Sequence, residues 1–144
     1  LNERKTKGMT DKEGKEIVAE NNVADKYEQG RKVLETLTKT PQSKPAPGFG
    51  AFAPRIDAFL KEHLFADIFA SDVLTFQQRE LVTIAALASM SGTAGQLQAH
   101  IGMGMNTGLT ESQLIQVFDL IEKHLGTEQP GDAKNILSKT VSKK

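Results

Sequence analysis

The sequence of 144 residues contains no cysteine and no tryptophan, and aromatic residues make up only 6% of it. The absence of cysteine excludes disulfides, thiolate metal ligands and thiol nucleophiles. An excess of charge of one sign is also missing, because 18 Lys and Arg residues balance 18 Asp and Glu residues. No basic cluster is interleaved with aromatic residues, so the sequence predicts no nucleic-acid partner.

Long hydrophobic runs are missing as well. No apolar stretch approaches the roughly 20 residues that a membrane-spanning helix needs, and residues 1–16 lack the apolar segment of a secretory signal. We therefore expect no membrane partner and take the cytoplasm as the default location. The chain begins with Leu1 instead of Met, so a removed leader or a trimmed sequence is also compatible with this N-terminus.

The length fits a single domain with one substantial core. Residues 1–17 are charged and almost devoid of large apolar side chains, which predicts a flexible N-terminal arm. Residues 18–144 are predicted to form one helical domain. Within it, residues 40–54 hold four of the five prolines. This composition predicts a long connector, because proline lacks the amide donor that regular elements need.

Apolar residues recur at spacings of three and four through most of this domain, and no segment shows the alternation of a strand. The pattern predicts an all-α fold, a compact bundle of about six helices. Three Thr-x-x-Gln sequences, at Thr75, Thr93 and Thr110, are typical of the capping box that opens a helix. Helices are predicted at about 20–38, 54–71, 75–92, 93–107, 110–126 and in the C-terminal segment, with possible ends at Gly92, Gly108 and Gly126.

The segment 54–71 carries an unusually wide apolar arc. One stripe consists of Ile56, Phe59, Leu60, Leu64 and Ile68. Phe65 and Phe69 widen this stripe around the helix, which predicts burial on two sides. An interface between copies of the chain would cover the second side, so we expect a homo-oligomer.

Glu80 is the first residue that breaks the separation of polar and apolar faces. It precedes Ile84 by four residues and Leu87 by seven, so its carboxylate is predicted to point toward the buried side of its helix. Arg79 is adjacent in sequence and therefore lies about 100° away around the helix axis. We expect Arg79 to make a different contact.

His100 is the second such residue. It lies at the edge of an apolar stripe, and Gln96 and Thr93 precede it by four and seven residues, so the three side chains line one face. Gly102 and Gly104 are costly inside a helix, at roughly 1 kcal/mol each relative to alanine. Their expected benefit is the close approach of another backbone or of a ligand.

Periodicity alone leaves two interpretations of Glu80 and His100 open. Buried polar groups are usually hydrogen-bonded, so the two residues can form a structural pair that links helices. They can also be the proton-handling groups of an active site. The sequence predicts no metal site, because His63, His100 and His124 are widely spaced and no carboxylates repeat at ligand spacing. There is also no glycine-rich phosphate loop that follows a strand.

The stretch RELVTIAALASMSGTAGQLQAHIGMGMNTGLTESQLIQVFDLI, residues 79–121, resembles the carboxymuconolactone decarboxylase family, which also contains the AhpD-type alkylhydroperoxidases. The matching features are Arg79-Glu80-Leu81 at the start of a long apolar helix, the small residues Ala85, Ala86 and Ala88, then His100, Asn106-x-Gly108, Thr110 and Glu111. The resemblance implies an AhpD-like helical fold and assembly into a trimer or hexamer.

The resemblance also implies a chemistry. In the thiol branch of the family a Cys-x-x-Cys pair precedes the histidine, whereas Thr93 and Gln96 occupy those positions here. Neither side chain replaces a thiolate, so alkylhydroperoxidase or peroxiredoxin activity is disfavoured. The decarboxylase branch implies a cofactor-free lyase or lactone-processing enzyme that acts on a small carboxylated lactone or related acid. His100 and Glu80 would be catalytic, and Arg79, Gln96 and Thr93 would bind the substrate.

The sequence departs from the family after Leu125. Decarboxylases usually continue with an aromatic and small-residue segment that helps to close the site, whereas residues 122–135 read EKHLGTEQPGDAKN. This difference leaves the identity of the substrate open. It also supports an alternative, in which the chain is a non-catalytic oligomeric helical protein that keeps the fold.

Overall fold

The structure is a computed structural model that describes residues 2–10, 25–126 and 128–142, without the side chains of 128–131. Every regular element in these ranges is a helix, which confirms the all-α prediction. The elements are α1 (Asn2–Thr6), α2 (Lys26–Thr38), α3 (Phe49–Phe52), α4 (Pro54–Phe59), π1 (Leu60–Phe69), α5 (Phe76–Ala88), α6 (Ala94–Asn106), α7 (Glu111–Leu125) and α8 (Glu128–Val141).

The helices enclose two adjacent apolar cores. The larger core lies among α5, α6, α7 and α8 and contains Ile84, Ala88, Leu97, Ile101, Leu109, Leu114, Phe118, Ala133 and Leu137. The smaller core joins α2 and π1 to α6 and contains Leu37, Phe65, Phe69 and Met103. Helix α6 therefore contributes to both cores, with Ile101 in the first and Met103 in the second.

Two of the three predicted capping boxes are present. Thr75 and Thr110 both adopt extended backbone angles, and each hydroxyl accepts a bond from the amide of the glutamine three residues later. In return the amide of each threonine donates to the side-chain oxygen of that glutamine. The box predicted at Thr93 is wrong, because this residue has φ −106° and ψ 13° and makes no side-chain cap. Its hydroxyl donates instead to the carbonyls of Leu87 and Met90 at 2.8 and 3.1 Å.

The predicted helix 54–71 consists of two consecutive parts, α4 and π1. The apolar arc predicted for this segment is buried on one side, and burial of the second side by another copy of the chain stays a prediction. Phe65 and Phe69 are buried against α2, whereas Ile56 and Phe59 are exposed. The helix thus covers the smaller core with one side and presents apolar side chains to solvent with the other.

The N-terminal part of the chain begins with α1, which is fully exposed. Residue 1 and residues 11–17 of the predicted arm lie outside the described residues, as do residues 20–24 of the predicted helix 20–38. Helix α2 starts at Lys26, where the Asp25 side chain accepts a bond from the Glu28 amide at 3.0 Å. None of the helices in the described ranges has the length and apolar character needed to cross a membrane.

The predicted connector 40–54 contains the short helix α3 and is attached to α2 by side chains. Arg31 donates a hydrogen bond to the Gln42 carbonyl at 2.9 Å, and the Glu35 carboxylate accepts one from the Gln42 amide at 2.9 Å. Arg31 also pairs with Glu28 and Glu35. These bonds hold the start of the connector against one face of α2.

Candidate active site

Glu80 on α5 and His100 on α6 are in direct contact. The Oε2 atom of Glu80 lies 2.8 Å from Nδ1 of His100. Glu80 is completely buried, and the His100 side chain is 16% exposed. The structure therefore brings together two residues that lie 20 positions apart in the sequence. The carboxylate of the pair is buried, and the imidazole is partly exposed.

The hydrogen bond orients the imidazole ring. An ionised carboxylate only accepts hydrogen bonds, so beside it Nδ1 carries a proton and donates. In the neutral ring Nε2 is then the unprotonated nitrogen. Within the part of the chain that the structure describes, Nε2 of His100 has no hydrogen-bond partner. This nitrogen is consequently available to accept a proton from a bound molecule, or to donate one when the ring is protonated.

The second carboxylate oxygen of Glu80, Oε1, is buried and makes no hydrogen bond to any described residue. A carboxylate in an apolar environment is unfavourable unless its charge is balanced. The contact with Nδ1 of His100 is therefore the one side-chain hydrogen bond of Glu80 to a described residue.

Arg79 lies beside this pair in sequence but makes a different contact. Its Nη2 atom donates to the carbonyl of Ser71 at 3.0 Å, which attaches α5 to the loop after π1. Its Nε atom is buried and has no partner among the described residues. The expectation that Arg79 makes a contact of its own is thus met.

Gln96 and Thr93 lie at different distances from the pair along α6. Gln96 is exposed and stands one helical turn before His100. Thr93 stands two turns away, and its hydroxyl is bonded to the end of α5. Thr93 also lines a shallow depression of about 110 Å³ between α5, α6 and α8, whose lining includes neither Glu80 nor His100.

The other two histidines lie on different helices, His63 on π1 and His124 on α7. His63 is exposed, stacks on Phe59 with ring centroids 5.2 Å apart, and lies 3.3 Å from the Asp67 carboxylate. His124 is exposed near the C-terminal end of α7, where a basic residue suits the helix dipole. The described residues contain no group of three or more His, Asp or Glu side chains arranged to hold a metal ion.

A buried polar cluster of Tyr27, Asp57 and Lys61 was not predicted from the sequence. Lys61 Nζ donates to Asp57 Oδ1 at 2.6 Å and to the Tyr27 hydroxyl at 3.0 Å. The Tyr27 hydroxyl donates to Asp57 Oδ2 at 2.6 Å. The available signal was the spacing, because Asp57 and Lys61 precede the buried Phe65 at intervals of four residues and so share its face.

The charges of this cluster affect its titration. Burial by itself raises the pKa of Asp57, but the hydrogen bonds from Lys61 and Tyr27 and the charge of Lys61 outweigh burial, so the pKa is lowered. Burial and the hydrogen bond to Asp57 together raise the pKa of Tyr27. The cluster therefore holds an ionised Asp57, in an ion pair with Lys61, and a neutral Tyr27 phenol at neutral pH. The polar groups of the cluster bond to one another, whereas the Glu80–His100 pair leaves Glu80 Oε1 without a partner among the described residues.

Comparison with known proteins identifies the domain that holds this pair. Residues 54–134 match the family model of the Carboxymuconolactone decarboxylase family. A search of curated proteins found no significant match. The matched range begins at α4 and includes both Glu80 and His100, whereas α2 and Tyr27 precede it.

Proposed function

The chain belongs to the carboxymuconolactone decarboxylase family, and we propose that it is a cofactor-free lyase in which the Glu80–His100 pair transfers protons. The proposed substrate is a small carboxylated lactone or a related acid. The observation that carries the proposal is the 2.8 Å contact between Glu80 Oε2 and His100 Nδ1, because it leaves the opposite ring nitrogen of a partly exposed histidine free to act.

The proposed reaction is a decarboxylation. The bond between the carboxylate carbon and the ring carbon breaks, CO₂ leaves, and the electron pair stays on the ring carbon, delocalised toward the lactone carbonyl. The imidazolium of His100 donates its Nε2 proton to the carbanion, and Glu80 stabilises the imidazolium before this step. The neutral ring then regains a proton from solvent at its exposed edge.

The three residues proposed to bind the substrate differ in how freely their side chains can reach it. Gln96 is the best placed of the three predicted residues, because it is exposed one turn before His100. Arg79 can contact a substrate carboxylate only if its guanidinium gives up the Ser71 carbonyl, to which it donates at 3.0 Å. Thr93 can contribute only from the start of α6, since its hydroxyl is bonded to α5.

A second candidate function is a non-catalytic helical protein that associates with itself. The Glu80–His100 hydrogen bond also links α5 to α6, which is what a structural pair would do. The polar sequence after Leu125 favours this alternative. Alkylhydroperoxidase activity is disfavoured for both candidates, because the sequence supplies no cysteine.

The test is a CO₂-release assay with a panel of small lactone acids and open-chain unsaturated acids. For a substrate that is turned over, His100→Gln is expected to lower kcat by about 100-fold or more, the usual contribution of a positioned acid or base. Glu80→Gln should lower kcat less, because the ring keeps a neutral hydrogen-bond partner. His63→Gln, at an exposed histidine, is the matched control and should retain wild-type activity.

The same variants separate the two candidate functions. If His100→Gln folds and retains full turnover of a substrate, the histidine is not the proton donor and the lyase mechanism fails. If no acid is turned over and no acid changes the ring-nitrogen NMR signals of His100, the non-catalytic function is favoured. Circular dichroism of each variant verifies that the helical fold is intact.

A further inference from the structure

Gly104 lies on α6 opposite Glu80 and has no space for a side chain. A Cβ atom at this position would lie 3.6 Å from the Cβ of Glu80. It would also lie 2.8 Å from Cδ1 of Ile84 and 2.9 Å from Cδ1 of Leu109. Real Cβ atoms do not approach other carbon atoms so closely, so a residue larger than glycine requires its neighbours to move.

The two atoms that a Cβ would meet most closely are the ends of side chains, which can turn aside only inside the packed core. Ile84 and Leu109 both belong to the larger core and are buried. Ile84 stands one helical turn after Glu80 on α5. A displacement of Ile84 therefore acts on the same part of α5 that carries the carboxylate, and tightly packed interiors transmit such strain.

The position of Gly104 along α6 also connects it to the imidazole. Residues four apart on a helix share a face, so Gly104 lies one turn after His100 on the face that approaches α5. Glu80 therefore lies between two contacts with α6, the hydrogen bond to His100 and the close packing against Gly104. The distance between α5 and α6 at Gly104 therefore determines how far the Glu80 side chain must extend to contact His100.

We propose that Gly104 is a positioning residue for the Glu80–His100 pair, a role that rests on the proposed function. Its missing side chain lets α6 approach α5 closely enough for the 2.8 Å bond between Nδ1 and Oε2. A wider separation lengthens this bond, and hydrogen bonds weaken steeply outside their normal distances and angles. Glycine occupies this position inside a helix although it is a poor helix former.

Gly102 provides a matched control on the same helix. It stands two residues before Gly104, about 200° away around the axis, and a Cβ placed there meets no atom within 4 Å. Gly102→Ala and Gly104→Ala therefore make the same chemical change in α6. Only the second change introduces a side chain between α5 and α6.

The experiment measures the ring-nitrogen chemical shifts of His100 by NMR at neutral pH, because these shifts report the tautomer and hydrogen bonding of the ring. Glu80→Gln is introduced into three backgrounds: wild type, Gly102→Ala and Gly104→Ala. In wild type and in Gly102→Ala we expect a clear change of the His100 shifts on replacing Glu80. In Gly104→Ala we expect less than half of that change, because the pair is already separated.

A compensating variant tests the cause of the effect and provides a second measurement if Gly104→Ala folds poorly. Ile84→Val removes the Cδ1 atom nearest to the added methyl group, and Leu109→Ala removes the second. The triple variant that combines both with Gly104→Ala should recover the wild-type response to Glu80→Gln. Failure of the triple variant to recover it contradicts the proposal, as does a full response in Gly104→Ala alone.

The role of Gly104 can fail independently of the lyase function. If no substrate is ever found but Gly104→Ala abolishes the response to Glu80→Gln, the proposed function fails and the positioning role stands. If a substrate is turned over, Gly104→Ala should lower kcat by up to about 100-fold, the loss that a misplacement of about 1 Å can cause, with KM little changed. Wild-type kcat in Gly104→Ala overturns the positioning role while the lyase function stands.

Discussion

At the scale of single residues, the Tyr27–Asp57–Lys61 cluster illustrates how a charged lysine is kept in an interior. Lys61 is completely buried, and its ammonium group donates to Asp57 and to the Tyr27 hydroxyl. The Asp57 carboxylate is completed by a 3.5 Å contact from the Ala46 amide, which belongs to the connector. Each charge is therefore balanced inside the protein, and removal of one partner leaves the other uncompensated.

We predict that Lys61→Met lowers the free energy of unfolding by about 3 to 5 kcal/mol, because it leaves the buried Asp57 carboxylate without a counter-charge. The double variant Lys61→Met with Asp57→Leu removes both charges and should recover most of this loss. Urea denaturation followed by circular dichroism gives both values. A Lys61→Met protein as stable as wild type would show that the ion pair contributes little.

The same pair predicts acid sensitivity. The pKa of Asp57 is lowered in the folded state below its ordinary value of 3.8, so its contribution to stability is present above that value. The contribution is lost as the pH falls from 3.8 through the lowered pKa. We expect the unfolding free energy of wild type to fall more steeply on acidification than that of the Lys61→Met, Asp57→Leu variant. Equal slopes would contradict the assignment.

At the scale of the elements, the helix starts show how far local sequence predicts local structure. The same Thr-x-x-Gln pattern forms a capping box at Thr75 and Thr110 but not at Thr93. The link between α5 and α6 is short, and the Thr93 hydroxyl bonds to carbonyls at the end of α5. A tertiary partner within reach thus replaces the local cap.

The contact between α2 and π1 yields a prediction about Gly30. A Cβ at Gly30 would lie 1.8 Å from the backbone carbonyl oxygen of Lys61, which cannot turn aside as a side chain can. We expect Gly30→Ala to destabilise the protein by about 2 kcal/mol or more, despite the better helix propensity of alanine. Gly102→Ala, which meets no atom within 4 Å, should be neutral or stabilising by up to about 1 kcal/mol. Thermal melts of both variants test this, and similar shifts would contradict it.

At the scale of the whole molecule, α3 and α4 carry a run of exposed apolar side chains, and further exposed ones lie in the loop before α5 and on α5 and α7. Phe52 is 92% exposed, Phe59 65% and Ile56 60%. Ile56 and Phe59 belong to the wide apolar arc, and Phe52 precedes it on α3. None of the three side chains belongs to the smaller core. Large exposed apolar patches are typical of interaction surfaces.

We predict that the protein associates with itself through this surface, as a trimer or hexamer by resemblance to its family. Light scattering of the wild type at micromolar concentration should give a mass that is a multiple of the protomer. Phe59→Glu should reduce that mass, because a charge is costly in an apolar interface. Leu120→Glu, at an exposed position on α7, is the control and should not reduce it. A monomeric wild type contradicts the prediction.

The sequence by itself predicted what depends on neighbours within a few turns of the chain. Helix periodicity, the capping boxes at Thr75 and Thr110 and the burial of the Glu80 face are set by spacings of three and four residues. The absence of cysteine excluded thiol chemistry without any structure. Glu80 and His100 could be nominated for this reason, since each interrupts an apolar stripe on its own helix.

The tertiary structure alone decided which side chains meet. His100 contacts Glu80 across 20 positions, Tyr27 contacts Asp57 across 30, and Arg79 binds the Ser71 carbonyl. These partners depend on the register and separation of packed helices, which residues such as Gly30 and Gly104 set by allowing close approach. Periodicity places a residue on a face of its own helix, but only packing selects the residue that it meets.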